Sequence, residues 1–192
     1  MIAETNAERL VERLEQNRKL ELQEYQTLLE TRFLGMSDAE QKAFDTFLFE
    51  RAVQTARQQF QNRIYIRGLI EFTNYCKNNC YYCGIRRDNK NADRYRLTAE
   101  EILLCCREGY KLGYRTFVLQ GGEDGYYTDD RICEIVSSVK RLYPDCAVTL
   151  SIGEKSAESY RRFFEAGADR YLLRHETADA GHYAKLHPKE MS

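Results

Sequence analysis

An excess of charge of either sign is missing from this sequence: 29 basic residues are balanced by 30 acidic ones, for a formal charge of -1. That balance leaves no electrostatic footprint for nucleic acid or an anionic membrane, so neither is expected as a partner. Long hydrophobic runs are also absent. Residues 1–13 are charged from Glu4 onward and lack an apolar core, which excludes a secretory signal, and no apolar run approaches a membrane span. A disulfide framework is excluded as well, because the seven cysteines are odd in number and follow no spacing pattern outside one triplet. A reducing, cytoplasmic setting is expected. The three histidines, His175, His182 and His187, have no metal-site spacing and receive no ligand role.

What is present suits one domain, or part of a larger one, since 43% hydrophobic residues can build a sizeable core. Residues 5–61 read as helices. Leu22, Tyr25 and Leu29 form one apolar stripe, Phe44, Phe47, Leu48 and Ala52 a second, and Ser37 with Glu40 is a capping box that starts the helix carrying the second. Residues 1–61 are thus expected to be a helical extension preceding a domain over 62–192.

From Ile64 the pattern changes to short apolar runs alternating with amphipathic helices. Ile64 to Phe72, Thr116 to Gln120, Ala147 to Ile152 and Arg170 to Arg174 read as strands. Thr98 and Glu101 cap a helix that stops near Gly113; a second from Thr128 carries Ile132, Ile135, Val136, Val139 and Leu142. A third from Ser156 buries Tyr160, Phe163 and Phe164 and ends at Gly167. Strand followed by helix, four times over, predicts an α/β fold with a parallel sheet, the rhythm of a (β/α) barrel. A full eight-unit barrel takes roughly 250 residues. The expectation is therefore a half barrel, the N-terminal portion of a longer protein, with open sheet edges.

The chemistry centres on Cys76-Lys77-Asn78-Asn79-Cys80-Tyr81-Tyr82-Cys83, three cysteines spaced x3 and x2 on a polar loop after the first strand. Three thiolates can hold three corners of an iron-sulfur cluster and leave the fourth iron open. A structural zinc site closes with four ligands, usually from two separated halves, and no second half is evident. Cys105, Cys106, Cys133 and Cys146 fall in helices or strands and read as core filler. In such barrels chemistry sits at the C-terminal ends of the strands. There lie the triplet, Gly121-Gly122-Glu123-Asp124, Ser151-Ile152-Gly153-Glu154 and Arg174-His175-Glu176-Thr177.

The triplet, with Tyr82 before Cys83 and with Gly121-Gly122-Glu123 after the second strand, resembles the radical S-adenosylmethionine (radical SAM) superfamily. Longer strings, among them Arg94-Tyr95-Arg96, Leu119 to Asp124 and Asp169 to Thr177, are similar to the HydE family of FeFe hydrogenase maturases in the biotin synthase-like group. The resemblance implies a [4Fe-4S] cluster on Cys76, Cys80 and Cys83, with S-adenosylmethionine chelating the fourth iron and cleaved by one electron to a deoxyadenosyl radical. It implies a small-molecule or organometallic iron substrate, other hydrogenase maturation proteins and an electron donor as partners. A further cofactor-binding arginine and any accessory cluster would then fall beyond Ser192, so the 192 residues alone are expected to bind the cofactor poorly.

Under the same resemblance Gly121 and Gly122 let backbone approach the methionine end of the cofactor. Glu123 suits its amino group, or is a solvated turn carboxylate. Glu176 serves the ribose or sulfonium side, or pairs with Arg174. Ser151 faces the substrate cavity, or is a core serine bonded to backbone. Tyr82 shields the adenine or simply packs. Arg170 and Arg174, at i and i+4 of one strand, form an anion site if their face is the cavity and surface ion pairs if it is not. Sister activities such as methylornithine synthase or biotin synthase, and a noncatalytic metal-binding module, are the alternatives.

Overall fold

The computed structural model describes residues 5–191. The chain divides into two compact units, one ending at Ile64 and the other starting at Tyr65. The first holds three helices, α1 (Asn6–Asn17), α2 (Leu22–Leu34) and α3 (Asp38–Phe60). The Ser37–Glu40 capping box is present, with the Ser37 N–H donating to the Glu40 carboxylate at 2.9 Å. The anticipated stripes are only partly buried. Ala7, Val11 and Phe44 make a small core with Leu28, Met36 and Phe47 against it, while Leu22, Leu29 and Leu48 are exposed. Helical spacing marks a common face without saying whether anything covers it.

In the second unit four strands alternate with helices: β1 (Gly68–Thr73), α4 (Ala99–Lys111), β2 (Thr116–Gly121), α5 (Asp129–Leu142), β3 (Ala147–Ser151), α6 (Ala157–Glu165) and β4 (Arg170–Tyr171). The strands are parallel in the order β1-β2-β3-β4, the arrangement of a partial (β/α) barrel. The helix boundaries follow the side chains that cap them. Thr98, Thr128 and Ser156 each accept the N–H three residues on, and Gly113 (φ 93°) and Gly167 (φ 107°) follow α4 and α6 in the left-handed region.

Because side chains alternate along a strand, Phe72, Phe117, Leu119, Val148 and Leu150 face the helices and pack with Ile102, Val136, Val139 and Phe163 in one core. The opposite face carries Glu71, Gln120 and Ser151 in one row, in register across three strands. Two strand readings need correction. Strand β1 starts at Gly68, with Ile64, Tyr65 and Ile66 exposed before it, and β4 spans two residues rather than five. Apolar residues alone do not make a strand without a partner to pair with. Phe164 is exposed beside buried Phe163. The sequence reading also stopped short of α7 (Ala180–Leu186) and the 3-10 turn Lys189–Met191. Among the described residues no helix is long and apolar enough to cross a membrane.

Leu150→Ala, emptying a fully buried site, is expected to lower the unfolding free energy by about 2–5 kcal/mol in urea titration. Phe164→Ala is expected to change it by no more than about 0.5 kcal/mol, the range for exposed positions.

Candidate active site

The loop after β1 is braced at its base by two residues. Asn74 donates to the Asp93 carbonyl at 2.6 Å and accepts the Tyr95 N–H at 2.8 Å. Arg94 spreads its guanidinium over the carbonyls of Ile85 at 2.9 Å, Arg86 at 2.7 Å and Asn89 at 3.1 Å, and also reaches that of Asn74. One planar cation with five donors thereby gathers both limbs of the loop. Arg87 adds its N–H to the Asn78 carbonyl at 2.8 Å, and Asn79 donates to Asp88 at 2.8 Å. Inside this frame Cys76, Cys80 and Cys83 are partly buried, and all three line one open cleft of about 590 Å³. Burial and then the neighbouring Cys76 and Cys83 push the Cys80 thiol above its ordinary pKa. A cation among the three sulfurs would reverse that shift of Cys80.

The Gly-Gly-Glu-Asp turn after β2 lies directly against the cysteine loop. A Cβ on Gly122 would fall 2.2 Å from the Tyr75 carbonyl oxygen and 2.7 Å from the Cys76 Cβ, and one on Gly121 would fall 2.6 Å from Thr73 Cγ2. The close approach these glycines permit is therefore that of the cysteine loop itself. Across the gap the Lys77 N–H donates to the Glu123 carbonyl at 2.9 Å, and the Glu123 N–H donates to Cys76 Sγ at 3.4 Å. The Glu123 carboxylate accepts from Asn78 Nδ2 at 2.8 Å and pairs with Lys77 Nζ at 3.0 Å, so it is no solvated turn carboxylate. Gly153, at φ 81°, leaves room for it: a Cβ there would meet Glu123 Cγ at 2.1 Å.

Beneath the turn, buried Asp124 accepts from Thr73 Oγ1 at 2.8 Å, from the Tyr126 N–H at 3.0 Å, and from Arg96 at 2.7 and 2.9 Å. Arg96 also lies 3.9 Å over the Tyr75 ring and 4.9 Å over that of Tyr126. Burial alone would raise the Asp124 pKa, but the bonds from Arg96, Tyr126 and Thr73 outweigh it and hold the carboxyl below the ordinary value.

Ser151, Arg174 and Glu176 join the cysteines in the cleft, as do Glu71 and Gln120, where Gln120 donates to Glu71 at 3.2 Å. The Ser151 side chain is buried and makes no hydrogen bond among the described residues, and one pleat deeper on the same face the buried Thr149 hydroxyl is also without a partner. Glu176 holds φ 62°, a left-handed conformation that costs a non-glycine residue about 1–3 kcal/mol. Arg170 and Arg174 do not share a strand face, because β4 ends at Tyr171; Arg174 reaches the cleft and Arg170 is exposed away from it. Tyr82 lines the cleft, its phenol pushed up by burial and then by the Glu176 carboxylate and Cys80. Of the other four cysteines, Cys106 and Cys146 are buried filler, Cys133 packs against the core and Cys105 is exposed; all seven are free.

Three thiols in an open cleft, one already accepting a backbone N–H as cluster sulfurs do, fit an iron-sulfur cluster. Among the described residues no three or more His, Cys, Asp or Glu gather as a site for a single ion.

Gly122→Ala is expected to displace the cysteine loop and to lower iron uptake on anaerobic reconstitution at least severalfold, with the circular dichroism of the sheet and helices retained. Asp124→Asn is expected to cost about 1–3 kcal/mol at neutral pH. Since the Asp124 pKa is lower folded than unfolded, its stabilisation is complete above the ordinary Asp value of about 3.9 and is lost as pH falls through the folded value. The acid limb of the stability curve should therefore be shallower in the variant.

The chain is 46% identical over 170 residues, 88% of its length and 47% of the relative's, to the FeFe hydrogenase maturase subunit HydE of Thermotoga maritima. It is 33% identical over 141 residues, 72% of its length and 40% of the relative's, to the 3-methylornithine synthase of Methanosarcina acetivorans. Its structure matches that of HydG, a maturase of the FeFe hydrogenase, with a TM-score of 0.76 at 26% identity, over 96% of this chain and 41% of that one. The chain thus spans about half the length of these curated relatives or less. The family model of the radical SAM superfamily matches residues 70–190, which include the cysteine triplet, the Gly-Gly-Glu turn and every strand end of the cleft, and the chain belongs to that superfamily.

Proposed function

We propose that this chain is the cluster-bearing half of a radical SAM enzyme of the HydE type, acting in assembly of the di-iron subcluster of FeFe hydrogenase. One observation carries the reading: the Glu123 N–H bonded to Cys76 Sγ makes the cysteine loop and the Gly-Gly-Glu turn one unit. Cys76, Cys80 and Cys83 would hold a [4Fe-4S] cluster, which when bound supplies the electron that breaks a carbon-sulfur bond of S-adenosylmethionine. Glu123, fixed by Asn78 and Lys77, presents a carboxylate to the cofactor's amino group, and Gly121 and Gly122 keep the turn close to the cluster. Tyr82 walls the adenine end, and Glu176 faces the ribose or sulfonium side.

Ser151, with its free hydroxyl, and Arg174 line the cleft and would meet the substrate, a small organometallic or cysteine-derived iron species, while Arg170 lies outside it. The higher identity to HydE supports a maturase over a methylornithine synthase or biotin synthase activity. The setting is reducing and cytoplasmic, consistent with seven free cysteines, and the partners are other hydrogenase maturation proteins and an electron donor.

The test is anaerobic reconstitution of the polypeptide followed by reduction with dithionite in the presence of S-adenosylmethionine. Because the 192 residues alone are expected to bind the cofactor poorly, deoxyadenosine is expected only slowly from the native sequence, and at least tenfold less from each of Cys76→Ala, Cys80→Ala and Cys83→Ala. Product release that survives loss of any one of these thiols would refute the assignment, and a colourless, zinc-loaded protein would favour the noncatalytic module.

A further inference from the structure

His187 carries no metal-site spacing, yet among the described residues it is one of the most enclosed polar ones, 4% exposed. Its ring stacks on Tyr183 with centroids 3.9 Å apart and 20° between planes. Its Nδ1 lies 3.0 Å from the Tyr183 carbonyl oxygen. A carbonyl only accepts, so Nδ1 carries a proton, and in the neutral ring Nε2 is then an acceptor. That nitrogen lies 3.4 Å from the Tyr82 hydroxyl, and the two rings meet edge to face at 86°. The adjacent residue completes the grip: the Leu186 carbonyl accepts the Tyr81 N–H at 2.9 Å. Two consecutive residues at the C-terminal end of α7, Leu186 and His187, thus hold two consecutive residues between Cys80 and Cys83, and Met191 Sδ lies 4.0 Å from Cys80 Sγ.

We infer that His187 is a positioning residue: its Nδ1 is anchored to the Tyr183 backbone so that Nε2 fixes the Tyr82 ring, setting the wall of the cleft between two of the cluster thiols. The inference deepens the functional reading above and rests on it for the cluster. Tyr82 is the aromatic residue of the triplet, half exposed, and its hydroxyl also lies beside the Glu176 carboxylate and the Cys80 thiol. Without His187 the ring loses its edge-on contact, and the wall beside the partly exposed sulfurs of Cys80 and Cys83 loosens. A fixed aromatic wall keeps water and chelators from the metal, as hydrophobic surroundings do at other metal centres.

Two readouts test this on the same protein. In histidine nitrogen-15 spectra of the metal-free chain, one of the three histidines is expected as the Nδ1–H tautomer, and Tyr82→Phe is expected to shift its Nε2 resonance while leaving Nδ1 in place. A proton on Nε2, or an Nε2 resonance indifferent to Tyr82→Phe, overturns the assignment. After anaerobic reconstitution, iron loss to a chelator is expected to quicken severalfold in His187→Phe and in Tyr82→Phe, to be no faster in the double variant than in His187→Phe, and to return toward native in His187→Gln. Effects that multiply, or a Gln variant no better than Phe, contradict a shared role. If His187→Phe does not fold, the nitrogen spectra and the Gln variant decide. Because the tautomer measurement needs no iron, failure to assemble a cluster, which would strike at the functional reading, is distinguishable from failure of the His187 assignment.

Discussion

The contact on which the site depends is the one between two loops that follow neighbouring strands. Parallel pairing of β1 with β2 places the cysteine loop beside the Gly-Gly-Glu-Asp turn, and the pairing shifts register between Glu71 and Thr73 just before the two loops diverge. Only glycine at 122 allows the Tyr75 carbonyl to come so near. Once there, the backbone supplies a donor to Cys76 Sγ and an acceptor to Lys77, so the geometry around the first thiol is set by main chain rather than by flexible side chains. Backbone donors cost little further entropy once the chain is folded, which suits a site that must hold its ligands in place before anything binds.

A buried ion pair underlies that contact. Asp124 is almost enclosed, and an isolated carboxylate there would be costly; three sets of donors, with the Arg96 fork the strongest, satisfy it. Arg96 lies between the Tyr75 and Tyr126 rings, so one guanidinium joins the residue before Cys76 to the residues after Glu123. Arg94 performs the complementary task on the far limb of the loop. The polar network thus fixes a loop that has almost no apolar core of its own, and the core beneath, with Phe72 and Leu119 at the strand ends, keeps the platform rigid.

Much of this was legible in the sequence, because caps and periodicity are local. Thr98, Thr128 and Ser156 marked the helix starts, Gly113 and Gly167 the stops, and the strand order followed from the alternation. The thiols announced themselves by spacing. Arg96 and Asp124 did not: 28 residues separate them, and a charged residue in a loop looks the same whether it is solvated or buried. His187 was passed over because its value lies in what encloses it, through a short helix whose Asp179 cap is its only local sign. The opposite error, a common face for Arg170 and Arg174, came from extending strand periodicity past the point where β4 has a partner.

In the proposed function, Cys76, Cys80 and Cys83 leave one corner of a four-iron cluster without a protein ligand. Mössbauer spectroscopy of the chain reconstituted anaerobically with isotopically labelled iron tests it most directly. A four-iron cluster is expected in which one iron is distinguishable from the other three and changes when a small ligand such as citrate or S-adenosylmethionine is added. A two-iron centre, or four irons that no added ligand perturbs, would contradict it.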